Sequence, residues 1–322
     1  MKCALLGSWS WWTALAQVLW NNWNIACLWS IHEEEVKAIN SHNSPCFPWV
    51  KLGENVCCSL DIKEVVKDSE LIVLSLPSFA LVSWLEKLKG YYDWQLIILA
   101  TKWWRSGVFL PFTTLIQEVL WKDVPVVVLS WASHAEEVVR SIPTWVVLCS
   151  ENKEYAENAK SILQNNWFRC GISSDVVWIQ LCWALKNVLA IACWLVDWLE
   201  YGINTKALVF REGIKEIQLI GEKVWIDMDS LLSYAWIGDL YVTCSSSLSR
   251  NWNAWNLIAK WEISLKEKKF NNMVCEGLYM IDILEKYLKS SDIYCPLFEL
   301  LIGIVKEGKD ARSSFEEFLL NV

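Results

Sequence analysis

Lys186 lies in the middle of the most apolar stretch of the chain, VVWIQLCWALKNVLAIACWLVDWL over 176–199. Burying an unpaired ammonium is costly. A lysine here is therefore expected to be paired, with Asp239 or Asp197, or to line a cavity where it can pass a proton. The two readings are compatible. Farther on, Gly238-Asp239-Leu240-Tyr241-Val242-Thr243-Cys244 leads to Ser249-Arg250-Asn251. An arginine beside a hydroxyl and an amide suits a phosphate, because guanidinium binds oxyanions in a bidentate way. Lys102, in Ala100-Thr101-Lys102-Trp103, follows an apolar run and is placed to hold a substrate oxygen or phosphate, or else to sit in solvent. The fourth candidate is the segment Gly7-Ser8-Trp9-Ser10-Trp11-Trp12, between a short apolar run and a helical pattern. With glycine at 9 and 12 it becomes G-x-G-x-x-G, the loop that presents backbone N–H groups and a positive helix end to a pyrophosphate.

Those two tryptophans stand where such a loop needs glycine, and the composition repeats the anomaly. The chain has 24 Trp and 12 Gly, whereas glycine normally takes about 7% of a sequence, roughly 22 residues here. Trp23, in Asn21-Asn22-Trp23-Asn24, falls at a helix end where glycine is expected. Trp236, Trp252 and Trp255 fall in turn-like segments beside Ala, Ile and Asn. Asn-Gly pairs form turns readily and Asn-Trp pairs do not. The pattern is that of a gene in which UGA encodes glycine, rendered with UGA as tryptophan. Trp11 and Trp29 read as true tryptophans. The alternative is a chain truly rich in tryptophan.

The elements that position these residues divide the chain in two. Up to about residue 175, short apolar runs (Cys3–Gly7, Asn24–Leu28, Leu71–Leu76, Gln95–Ala100, Val124–Leu129, Thr144–Cys149) alternate with helical patterns. Continuous apolar strands between helices predict a parallel sheet covered on both faces, a doubly wound α/β domain. Beyond 175 the pattern is helical, with segments at Val176–Leu199, Lys206–Ile220, Asp229–Leu232, Ala254–Lys260, Met273–Lys289, Ile293–Val305 and Ser313–Leu319. The expectation is a dinucleotide-binding domain over 1–175 and an all-α substrate and catalytic domain over 176–322.

Bulk properties exclude several classes. A net charge of −8 argues against a nucleic-acid partner, which needs a basic face. The 12 cysteines and three histidines show no C-x-x-C pair and no metal-ligand spacing, and cysteines in apolar runs act as small hydrophobes. No metal is expected, and reduced thiols point to the cytoplasm. The apolar stretch at 176–199 is long enough to span a bilayer, but Lys186, Asn187 and Asp197 would be costly in lipid. It is expected to be a helix buried in protein.

Taken together, these segments resemble the soluble bacterial NAD(P)-dependent glycerol-3-phosphate dehydrogenases nearly end to end, once tryptophan is read as glycine. GSWSWWTALA is similar to that family's GxGSWGTALA, ATKW to ATKG, and LSWASHAEEV to SGPSHAEEV. IQLCWALKNVLAIACWLVDWL resembles xELGGALKNVxAIAxGxxDGL, AWIGDLYVTCSSSLSRNWNAW resembles AGxGDLxxTCxSxxSRNxxxG, and VCEG resembles VxEG. The resemblance implies that Gly7, Trp9, Ser10, Trp11 and Trp12 form the cofactor loop, with Ala135, Val274 and Glu276 also at the cofactor. Lys102 would lie between cofactor and substrate. Trp131, Ser133, Asp239, Ser249, Arg250 and Asn251 would bind substrate, Arg250 reaching the cofactor as well, and Lys186 would be the catalytic proton donor and acceptor. Two positions depart from the family: Ala132 replaces a proline, and Ile31 stands where a basic residue or histidine often meets the cofactor. The choice between NAD and NADP stays open.

The resemblance further implies interconversion of dihydroxyacetone phosphate and sn-glycerol 3-phosphate for phospholipid synthesis, by a homodimer with no nucleic-acid or integral membrane partner. Two other readings remain: another hydroxy-acid dehydrogenase of the same plan, or a non-catalytic Rossmann-like binding protein if the motif tryptophans are genuine.

Overall fold

Continuous apolar runs in the first half form the strands. In the computed structural model these are β1 (Lys2–Leu6), β2 (Ile25–Trp29), β3 (Val56–Ser59), β4 (Leu71–Leu74), β5 (Leu96–Leu99), β6 (Val126–Trp131), β7 (Thr144–Cys149) and β8 (Phe168–Ser173). They make one eight-stranded sheet in the order β3-β2-β1-β4-β5-β6-β7-β8. The structure describes the whole chain except residues 8–9, 77–79, 102–110, 132, 224–233, 246–268, 271–272 and 275. The helices between the strands are α1 (Ser10–Asn21), α2 (Glu33–Asn40), α3 (Ile62–Val66), α4 (Leu81–Leu88), α5 (Phe112–Val119), α6 (Ala135–Val138) and α7 (Lys153–Leu163). β1, β4 and β5 are buried at nearly every position, as strands covered on both faces must be.

The sheet departs from the expected all-parallel arrangement at one place. β7 runs antiparallel to β6, and β8 then pairs parallel to β7. Between β6 and β7 the chain holds only the one-turn helix α6, too little for the full helical crossover that a parallel neighbour requires. β3 and β8 were not legible as strands. β3 alternates buried and exposed positions at the sheet edge, and β8 carries Arg169 and Gly171, so neither presents a continuous apolar run.

The chain folds as two compact units, one built on this sheet and ending at Ile179, the other comprising Gln180–Val322. The helices of the second half are α8 (Val176–Trp198), α9 (Gly202–Lys223), α10 (Asp239–Ser245), α11 (Glu276–Ser291), α12 (Pro296–Ile302) and α13 (Ala311–Leu320), with π-helical turns at Tyr234–Gly238 and Gly303–Glu307. The segment expected to be one helix over Met273–Lys289 instead begins as a strand. β9 (Lys269–Phe270) and β10 (Met273–Val274) form a small antiparallel pair, and α11 starts only at Glu276. The expected helices at Asp229–Leu232 and Ala254–Lys260 lie outside the described residues.

α8 is long and apolar enough to cross a membrane, yet 94% of its most apolar window is buried inside the protein. Neighbouring helices reach it through glycines. A Cβ at Gly213 on α9 would land 2.2 Å from a Leu189 methyl, and one at Gly277 on α11 would stand 2.6 Å from Ile191 Cδ1 and 3.0 Å from the Asn187 carbonyl oxygen. The start of α12 is capped from a distance. The Leu297 and Phe298 N–H groups donate to Glu216 Oε1 and Oε2 at 2.6 and 2.9 Å, supplying acceptors that a helix N-terminus otherwise lacks. Glu216 is 1% exposed. Burial outweighs the two amide donors and pushes its carboxyl up to about 7.

Candidate active site

In the first unit, β1, β4, β5 and β6 are mutually parallel, so their carboxyl ends share one edge. The strand order reverses between β1 and β4, and ligands of such sheets bind at that crevice. Gly7 ends β1 there with φ +143°, and a Cβ on it would fall 2.2 Å from the Ser75 carbonyl oxygen. Only glycine satisfies both the backbone angle and the approach. The neighbouring strand ends are tied together. Ser75 N–H donates to Leu6 O at 2.9 Å. The buried Thr101 hydroxyl accepts from Leu76 N–H at 3.1 Å and lies 3.2 Å from Leu74 O.

Ser10 opens α1, whose own first turn carries no acidic residue to offset the positive helix end. Trp11 and Trp12 are both buried, and Trp12 Nε1 donates to Leu5 O at 3.3 Å. Its indole therefore stands between α1 and β1. Trp131 is the last residue of β6. Ser133 and Ala135 follow, Ala135 being buried at the start of α6, which packs on α1. Ser133 Oγ and His134 Nε2 are buried and have no hydrogen-bond partner among the described residues. Buried polar atoms ordinarily find one. Two such groups at the carboxyl end of β6, on the same sheet edge as the glycine-only end of β1, fit the polar part of a dinucleotide.

The carboxyl end of β2 carries a feature that the sequence does not display. Ser30 Oγ donates to Glu35 Oε2 and accepts from His32 N–H at 3.1 Å. Glu35 belongs to the first turn of α2, yet its carboxylate is brought back to the strand end. The strand terminus itself, Leu28-Trp29-Ser30, has no carboxylate, and the helix supplies one instead.

In the second unit, Lys186 on α8 and Asp239 at the start of α10 form an ion pair, their side chains each only 4% exposed. Lys186 Nζ also donates to Thr243 Oγ1 at 3.1 Å, and the threonine hydroxyl donates to Asp239 O at 2.6 Å. Asp197, the other partner considered for Lys186, is instead 2.7 Å from Lys206. Thr243 carries no role that its sequence context alone assigns. The signal was present, because Asp239 and Thr243 are four residues apart on one helix and so share a face. The π-helical turn over 234–238 runs directly into Asp239. Val274 lies on β10 and Glu276 opens α11. Trp9, Lys102, Ser249, Arg250 and Asn251 lie outside the described residues.

A proton-carrying lysine held by a carboxylate and a hydroxyl, in a chain whose other unit offers a dinucleotide edge, has the parts of a hydride-transfer enzyme. Residues 2–156 match the family model for the NAD-dependent glycerol-3-phosphate dehydrogenase N-terminus, and residues 175–316 match that for its C-terminus. The chain belongs to the NAD-dependent glycerol-3-phosphate dehydrogenase family. It is 33% identical to the NAD(P)+ glycerol-3-phosphate dehydrogenase of Fusobacterium nucleatum, covering 99% of this chain and 97% of that one. Identity to the Bacillus subtilis enzyme of the same name is 32%, over 99% and 94%. The solved glycerol-3-phosphate dehydrogenase of Coxiella burnetii superposes with a TM-score of 0.90 at 28% identity, covering 99% and 98% of the two chains. Membership of this dehydrogenase family accounts for both halves of the fold, a Rossmann-like sheet and a helical C-terminal portion.

Proposed function

We propose that the chain reduces dihydroxyacetone phosphate to sn-glycerol 3-phosphate, and catalyses the reverse reaction, with NAD(H) or NADP(H). The observation that carries this reading is the buried Lys186–Asp239 pair with Thr243 beside it, in a chain of this dehydrogenase family. When bound, the nicotinamide cofactor supplies or accepts the hydride. Lys186 gives its proton to the substrate oxygen on reduction and takes it back on oxidation. Asp239 keeps the ammonium aimed, and Thr243 limits its rotation. The 1–175 portion holds the cofactor through Gly7, Ser10, Ala135 and the segment around them, including position 9. The 176–322 portion holds the substrate through Asp239, Ser249, Arg250 and Asn251, with Arg250 on the phosphate. Lys102, Trp131 and Ser133 complete the substrate contacts, and Val274 and Glu276 close on the cofactor.

Glu35 favours NAD over NADP in this reading. A carboxylate at the end of β2 can accept from a ribose 2′-hydroxyl but repels a 2′-phosphate. The protein is assigned to the cytosol as a homodimer that feeds phospholipid synthesis. No disulfide joins any of the eleven described cysteines, which suits a reducing compartment. The test is NADH and NADPH oxidation against dihydroxyacetone phosphate, ketopantoate and unphosphorylated dihydroxyacetone. Turnover confined to the phosphate ester, faster with NADH, is the expected result. Preference for ketopantoate would move the chain to another dehydrogenase class of similar plan, and equal use of NADPH would remove Glu35 from cofactor choice.

A further inference from the structure

We infer that the natural polypeptide carries glycine at positions 9, 12, 23, 94, 183 and 236, through a code in which UGA specifies glycine, and tryptophan at 29. The inference deepens the proposed function, because it decides which residues build the cofactor edge and flank the lysine pair. Backbone geometry supplies the first support. Trp23 has φ 64° and Trp94 has φ 59°, a left-handed conformation that is a genuine outlier for a bulky side chain. At Trp23 the surrounding bonds are those of a helix ending on a left-handed residue. Trp23 N–H donates to Trp20 O at 2.9 Å, and Asn24 N–H donates to Leu19 O at 3.0 Å. That pattern selects glycine. Its side chain does nothing to offset the conformation, being 89% exposed. Trp94 is 55% exposed and follows Asp93 in the turn before β5, an Asp-Gly turn if the inference holds.

Packing supplies the second support. Trp12 occupies the position whose glycine lets the first helix close on the first strand, and its indole reaches a strand carbonyl instead. Trp183 precedes Lys186 by three residues and Trp236 precedes Asp239 by three, and both are 1% exposed. The largest side chain thus stands one turn from each member of the ion pair. Trp29 behaves differently. It is 6% exposed within β2, its Nε1 donates to Leu60 O at 3.0 Å, and its ring lies 4.1 Å from that of Trp84. Inside a strand neither a left-handed backbone angle nor a helix–strand approach calls for glycine, and the ring has an aromatic neighbour to pack on. The same sequence therefore contains one position built for an indole and two whose backbone calls for no side chain.

The experiment is peptide sequencing by mass spectrometry of the protein isolated from its source cells, read beside the codons of its gene. Glycine at 9, 12, 23, 94, 183 and 236 from UGA, with tryptophan at 29 from UGG, is the expected result. Tryptophan at 23 and 94 in those peptides overturns the inference whatever the enzyme does. The enzymatic reading is tested apart, on recombinant protein with glycine at the six positions. NADH binding without reduction of dihydroxyacetone phosphate would remove the proposed function and leave the glycine assignment standing.

Discussion

The Lys186–Asp239 pair makes a prediction that separates catalysis from stability. Both side chains are 4% exposed, so deleting either charge strands the other out of water. Lys186→Met leaves the buried Asp239 carboxylate without its lysine, and Asp239→Leu leaves the buried ammonium beside the Thr243 hydroxyl. Breaking a buried pair from one side costs about 3–5 kcal/mol, a large part of the roughly 5–15 kcal/mol that holds a domain folded. Removing both charges reverses the sign of the problem, since replacing a buried pair by apolar groups is often neutral or stabilising by about 1–4 kcal/mol. The double variant is therefore expected to unfold in urea at or above the parent midpoint, with each single variant well below it. Turnover should behave otherwise. All variants lacking Lys186 should lose about 10²–10⁴-fold, the usual contribution of a positioned proton donor, while still binding NADH by calorimetry. Single variants within about 1 kcal/mol of the parent, or a double variant that simply sums the two losses, would refute the buried-pair account. Near-parental turnover of Lys186→Met would refute the catalytic one.

Other expectations rest on different parts of the molecule. Thr243→Val should lower kcat with little change in the KM for dihydroxyacetone phosphate, and Thr243→Ser should restore it; a change confined to KM would make the hydroxyl a substrate contact. Arg250→Ala should raise the KM for the phosphorylated substrate several-fold, and an unchanged KM would place the phosphate elsewhere. Glu216, with its carboxyl raised from 4.5 to about 7, holds its proton more tightly folded than unfolded. Stability should therefore fall as pH rises from about 4.5 through about 7, by on the order of 3 kcal/mol. Glu216→Gln should flatten that fall in urea titrations, and an unchanged slope would show that other groups set it.

The central strands and long helices were legible because their residues are nearly all apolar or keep a helical period, as in β4 (LIVL), β5 (LIIL) and α8. What escaped the sequence was decided by partners. β3 and β8 are strands because neighbouring strands are there to pair with, not because their own residues demand it. The reversal of β7 follows from how little chain connects it to β6. At the candidate site, Lys186 and Asp239 announced themselves by being charged amid apolar residues. Thr243 and Glu35 did not, since a threonine in a helix and a glutamate in a charged helix start are unremarkable until another element brings Lys186 or Ser30 to them. The division of the tryptophans needed both sources. Composition and position set Trp23 apart from Trp29, and backbone angles and exposure added Trp94.

The contact at Gly277 has a consequence for how mutational maps of this chain should be interpreted. α11 touches the main chain of α8 at Asn187, the residue after Lys186, because position 277 has no side chain. A methyl group there would have to displace the end of the Ile191 side chain and press on that carbonyl, and the second movement shifts the rung of α8 from which the lysine projects. Position 277 would then score in an activity screen like a member of the reaction centre, although it carries no functional group at all. Tolerance at 277 thus gauges how much slack the lysine's backbone has. A second-site change that shortens Ile191 is the natural place for compensation to arise, so the two positions are expected to drift as a pair.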